Sequence, residues 1–128
     1  MDAVEKKRRL SPEQMRAQDA WDKARGQPRE YKILAKGLPA LIMNSGLIQV
    51  LAFLEEKGKK TNNHHGVLGR HMRQWLVKMF PGQLKGEEFE AFMDALIQTR
   101  PQEFREITAE AQAWLRWVRQ MAAAVITD

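Results

Sequence analysis

Three histidines, two pairs of adjacent carboxylates and a long run of positive charge are the residues in this chain whose types could do chemistry. His64, His65 and His71 are each able to ligate a metal or pass a proton. Successive positions on a helix diverge by about 100°, so His64 and His65 are expected to point to different sides. No acidic residue lies between His65 and Glu87 to complete a ligand set, and the expectation is a pair of surface histidines with no metal. Glu55-Glu56 and Glu87-Glu88 sit close to Gly58 and Gly86. They read as helix-end charges, not as an acid and a base facing a substrate. Neither a phosphate-loop glycine pattern nor a nucleophile elbow is present. The chain is therefore expected not to be an enzyme and to carry no cofactor.

The charge run is the stronger signal. Net charge is only +5, from 21 basic and 16 acidic residues, but from Lys57 to Lys85 there are seven basic residues and no acidic one. Most charge runs are solvated faces. Here no acid stands at i, i+4 to Arg70, Arg73 or Lys78 to explain those charges as local salt bridges. Lys57, Lys59 and Lys60, with Thr61, Asn62 and Asn63, are donors suited to phosphate oxygens. On an ideal helix Arg70, Arg73, Gln74, Val77 and Lys78 face away from the neighbouring apolar stripe, so all are expected to be exposed. Lys57, Lys59, Lys60, Arg70, Arg73 and Lys78 are the candidate RNA-binding residues.

A second basic stripe, Arg105, Gln112, Arg116 and Arg119, shares the face of the last helix opposite its apolar side. Trp117 lies about 60° from Trp114 on that helix, either as a core-edge residue or as an aromatic anchor for a partner. Trp117, Arg105, Arg116 and Arg119 are the candidate protein-interaction residues.

The elements that must position these groups read as helices. Ser11-Pro12-Glu13-Gln14 carries a capping box with proline at the first helical position, and Gly26 and Pro28 stop that helix. A second helix from Arg29 places Tyr31, Leu34, Leu38, Leu41 and Ile42 on one side, with Pro39 expected to bend or restart it. Asn44-Ser45-Gly46 is the next break, with Gly46 expected either at a special backbone geometry or at a close contact. A third helix runs through Leu47, Leu51, Phe53 and Leu54 toward Gly58, and 59–63 reads as a loop. Leu41, Ile42, Leu47 and Leu51 are expected to form core against the last helix.

The fourth helix, about His64 to Phe80, carries Leu68, Met72, Trp75, Leu76 and Met79, and a short fifth runs from about Glu87 to Ile97. Pro101 opens a sixth in which Phe104, Ile107, Ala111, Trp114, Leu115, Val118, Ala122 and Val125 fall within about a third of the circumference. The expected fold is all-α, a compact bundle of five to seven helices. It forms one domain over 1–128, with residues 1–10 a charged arm containing Lys6-Lys7-Arg8-Arg9. No run approaches the ~20 apolar residues of a membrane span. The absence of cysteine fits a reducing cytoplasm, the expected location.

Two stretches carry a family resemblance. Tyr31 to Gly58, with Leu38-Pro39-Ala40-Leu41-Ile42-Met43-Asn44-Ser45-Gly46-Leu47 leading into Leu51-Ala52-Phe53-Leu54, is one. The other is the closing helix from Ala111 to Ala122. Their order and spacing resemble the small subunit of the type III-B CRISPR RNA-targeting (Cmr) complex. The resemblance implies a non-catalytic scaffold in antiviral defence. Copies of such a subunit stack head to tail along the guide RNA and target RNA duplex, between a large polymerase-like subunit and repeating backbone subunits. His64-His65 and the Lys6-Arg9 arm lie outside the resemblance. Two other classes stand beside it: a helical DNA-binding regulator entering its recognition helix at Asn62-Asn63-His64-His65-Gly66, and a small enzyme in which the three histidines converge.

Overall fold

The computed structural model describes residues 9–61 and 63–127, which contain six helices and no strand. These are α1 (Pro12–Ala24), α2 (Arg29–Ser45), α3 (Leu47–Thr61), α4 (His64–Met79), α5 (Phe89–Ile97) and α6 (Pro101–Val125). The chain is all-α, as its periodicity predicts. Lys6, Lys7 and Arg8 of the basic arm, and Asn62, lie outside the described residues.

Local chemistry sets most boundaries. The Ser11 hydroxyl accepts from Gln14 N at 3.1 Å, and Gln14 Oε1 accepts from Ser11 N at 2.9 Å, closing the capping box. Asn63 caps α4 by accepting from His65 N at 2.9 Å. Between α2 and α3 the turn is a single residue, Gly46. Its N–H donates to Ile42 O and its carbonyl accepts from Val50 N. Gly46 has φ 88 and ψ 157, a backbone region essentially confined to glycine, and a Cβ there would meet nothing within 4 Å. Conformation, not crowding, requires glycine at this position.

Helix α6 is the long strut. Arg16 meets Glu110 and Asp19 meets Trp114, so α1 lies parallel to α6. Gln112 meets Pro39 and Ile126 meets Lys32, so α2 lies antiparallel to it. Helices α3 and α4 form an antiparallel hairpin in which Gly58 touches Gly66, and α5 packs on α3 and α4. One core cluster runs from Ala20 to Ile126, with Tyr31, Trp75, Trp114 and Phe92 its bulkiest fully buried members. In α6, Ile107, Ala111, Trp114, Leu115, Val118 and Ala122 are buried, as the stripe predicts.

Three expectations need correction, and one alternative left open by the sequence is removed. Residues 59–61 are not loop but the last turn of α3, where Lys59 and Lys60 favour the helix dipole and Lys60 pairs with Glu56 at 3.8 Å. Pro39 does not restart α2, which is one helix, and its carbonyl accepts from Gln112 Nε2 at 3.1 Å. Leu41 is 39% exposed because the buried positions are Tyr31, Ala35, Leu38 and Ile42, and Leu41 lies about 100° from Ile42. Leu47 and Leu51 are fully buried, but α3 packs chiefly on α4 instead of α6.

Candidate nucleic-acid interface

The hairpin of α3 and α4 carries the six candidate RNA-binding residues, and the structure divides them. Lys59, Lys60, Arg70 and Lys78 are exposed. Lys57 is half-buried with its ammonium 5.9 Å from the Phe53 ring centroid, and Lys78 places its own 5.8 Å from that of Trp75. Arg73 is the exception: it is 5% exposed and its expected exposure is overturned. Its Nε donates to Glu87 O at 2.7 Å, a guanidinium NH2 group lies 3.5 Å from Glu55 Oε1, and the guanidinium packs 5.6 Å from the Phe89 ring centroid. The acid missing from its own helix is supplied by α3, and α5 covers the side of α4 that an isolated helix would leave to water. The hairpin's positive charge is thus interleaved with Glu55, Glu56 and Glu88, which lie beside Lys59, Lys60, Arg70 and Arg73.

The carboxylate pairs resolve in the same way. Glu55 and Glu56 make the ion pairs just described, and Glu88 stands at the N-terminus of α5. The histidine rings behave differently from the expectation, because His64 and His65 do not diverge: their centroids are 4.4 Å apart. His65 Nδ1 lies 3.3 Å from Asn63 Oδ1. His71 instead faces α2, with Nδ1 2.8 Å from the Tyr31 hydroxyl. Among the described residues no group of three His, Asp or Glu side chains is placed to hold an ion.

His71 belongs to a polar cluster joining four helices. Lys23 Nζ donates to His71 O at 3.2 Å and to Asp19 Oδ2 at 2.9 Å, and Asp19 also accepts from Trp114 Nε1 at 2.8 Å. Burial, with the Lys23 and Arg70 charges outweighing Asp19, pushes the His71 imidazole down to about 4. Burial and the Asp19 charge hold the Tyr31 phenol far above its ordinary value, so it stays protonated. Nearby, Glu110 accepts from Arg16 Nε and from an Arg16 guanidinium NH2 group, each at 2.8 Å, and from Trp75 Nε1 at 2.9 Å. Burial pushes the Glu110 carboxyl up, but the hydrogen bonds from Arg16 and Trp75 and the Arg16 charge outweigh it, leaving it below its usual range.

The pH dependence of stability follows. An unfolded histidine titrates near ~6.5, so between about pH 6.5 and 4 the unfolded chain binds a proton at His71 that the folded chain refuses. Stability due to His71 is complete above the upper value and falls with decreasing pH, by up to ~1.4 kcal/mol per unit. Glu110, depressed in the fold, keeps its contribution above the ordinary carboxylate range and loses it progressively as pH falls below that range. Urea unfolding at pH 7.5 and 5.0 should show the wild type weaker at the lower pH. The difference should shrink in His71→Gln, which keeps an acceptor for Tyr31. Equal pH sensitivity in the two proteins would remove His71 as the cause.

The four candidate protein-interaction residues differ in their settings. Trp117 is half-buried and packs against the core, and Arg105 is exposed near the start of α6, with its guanidinium 3.5 Å from Gln102 Oε1. Gln112 turns from the basic stripe to bond Pro39. Arg116 and Arg119 are exposed and line a groove of about 730 Å³ between α2 and α6, together with Arg29, Lys32, Ile33 and Lys36. The α2 side of this groove was not legible in the chain. Its residues stand at i, i+3 and i+7, a visible stripe, but which neighbour would adjoin it depends on packing.

Comparison with known proteins gives a consistent result. The family model described as CRISPR-associated protein (Cas_Cmr5) matches residues 12–125. The CRISPR system Cmr subunit Cmr5 of Thermus thermophilus is 29% identical over 120 residues, spanning 90% of this chain and 96% of that protein. The crystal structure of a CRISPR-associated Cmr5 family protein from Thermus thermophilus matches with TM-score 0.73 and 26% identity, over 92% of this chain and 100% of that one.

Proposed function

The chain belongs to the Cas_Cmr5 family, the small subunit of the type III-B Cmr complex, and we propose that it acts there as a non-catalytic scaffold that stacks with copies of itself along guide and target RNA. The observation that carries this reading is the family match over almost the whole chain, with the same fold. Its partners on this reading are the large polymerase-like subunit, the backbone subunits and the two RNA strands, in the cytoplasm. Native co-purification tests it: the tagged protein should bring down the other subunits and a guide RNA. Recovery of the chain alone from cells expressing the whole system would count against it.

Lys57, Lys59, Lys60, Arg70 and Lys78 are proposed phosphate contacts. Arg73 leaves that set because its guanidinium is buried and engaged. A few such charges on one subunit give nonspecific binding of about 10⁻⁴ to 10⁻⁶ M at physiological salt, and several stacked copies on one RNA multiply it through effective concentration. Substituting Lys59, Lys60 and Arg70 with Ala should leave the melting temperature nearly unchanged, since all three are exposed. RNA binding by the complex should weaken and its salt dependence flatten. An unchanged salt slope would return this surface to the role of solvated face.

A further inference from the structure

Sequence position and spatial position of charge disagree in this fold. The acid-free stretch of the chain packs against Glu55, Glu56 and Glu88, whereas the groove between α2 and α6 is assembled from residues that are not a charge run in sequence. Arg29, Lys32 and Lys36 come from α2, Arg116 and Arg119 from α6, and no carboxylate lines the groove among the described residues. Arg29 and Lys32 have interactions of their own, Lys32 with Ile126 O at 3.1 Å. Lys36, Arg116 and Arg119 are exposed and make no ion pair among the described residues.

We infer that the groove between α2 and α6 is a second and stronger phosphate-binding surface of this protein, taking a stretch of RNA backbone across Lys36, Arg116 and Arg119. The inference rests on the RNA-scaffold reading above and adds a site to it. Three features favour a polyanion strand over an acidic protein patch. The available charges stand on both walls of the groove, Lys36 on α2 and Arg116 and Arg119 on α6, so successive phosphates of a backbone can be met instead of a single carboxylate. Two of the three available groups are guanidinium forks, which match phosphate oxygens in pairs. The Gln120 side chain and the exposed Ile33 also line the groove. An amide there can reach a sugar or phosphate oxygen, and an aliphatic face can sit against a base.

The test uses the full chain and a labelled 20-nucleotide RNA, with anisotropy titrations from 50 to 200 mM salt. Lys36→Gln, Arg116→Gln and Arg119→Gln are combined in one variant, and Lys59→Gln, Lys60→Gln and Arg70→Gln in another. The groove variant should fold normally, lose about tenfold or more in affinity at the lowest salt, and flatten the log–log salt slope by about two, at ~0.7 for each phosphate of a single strand that is no longer neutralised. The hairpin variant should change both quantities less. A groove variant with the wild-type slope overturns the inference, and if the hairpin variant is flattened the scaffold reading stands without it. Wild-type RNA binding combined with failure to enter the complex would make the groove a protein-docking surface and likewise overturn it. If the wild type shows no salt-dependent RNA binding at 50 mM, the inference fails. If it also fails to co-purify with subunits and guide RNA, the scaffold reading fails too.

Discussion

Gly58→Ala is expected to destabilise the protein by roughly 3 kcal/mol or more, although alanine is the better helix former. Gly58 is buried inside α3 where it crosses α4, and a Cβ built on it would lie 2.5 Å from Gly66 Cα and 2.6 Å from Gly66 N. Overpacking usually costs about 1–3 kcal/mol, because side chains can turn aside. Here the obstacle is backbone, so the two helices must separate and the contacts between Leu54 and Gly69 further along the crossing open with them. Two companion variants calibrate the effect. Gly66→Ala should cost less, since its Cβ would stand 3.3 Å from Gly58 Cα. Gly37→Ala, exposed in α2 with nothing within 4 Å, should be neutral or stabilising by up to ~1 kcal/mol. Thermal unfolding followed by far-ultraviolet circular dichroism ranks the three. A Gly58 variant as stable as wild type would mean that the crossing is looser than its geometry indicates.

Leu51→Ala should cost about 2–5 kcal/mol, the range for deleting most of a buried leucine and leaving a cavity. Leu51 is fully buried in α3, as are Leu47 and Leu54 on the same helix, and the rigid crossing at Gly58 and Gly66 limits how far the hairpin can collapse into the space. The loss should therefore fall in the upper part of the range. Leu41→Ala, at a position 39% exposed, should cost far less. Urea midpoints of the two variants make the comparison, and similar values for both would contradict the division of α2 and α3 into buried and exposed faces.

What the chain by itself determines here is local. The capping box at Ser11, the glycine turn at Gly46 and the apolar stripe of α6 were all legible. Each arises from interactions within about four residues, or from the conformational freedom of a single one. The resemblance carried by Tyr31 to Gly58 and Ala111 to Ala122 likewise pointed to the family that the comparisons show. Tertiary structure alone decided the fate of charge. Arg73 faces away from the apolar stripe of its own helix, and only the packing of α3 and α5 buries it and brings Glu55 within 3.5 Å across eighteen positions of chain. Gly58 looked like a helix stop and is a helix crossing, because nothing near it in sequence announces that Gly66 will press against it. The groove that gathers Lys36 with Arg116 and Arg119 joins helices about eighty residues apart. Helix periodicity tells which residues share a face, but the electrostatic field at that face depends on which other helix is laid beside it.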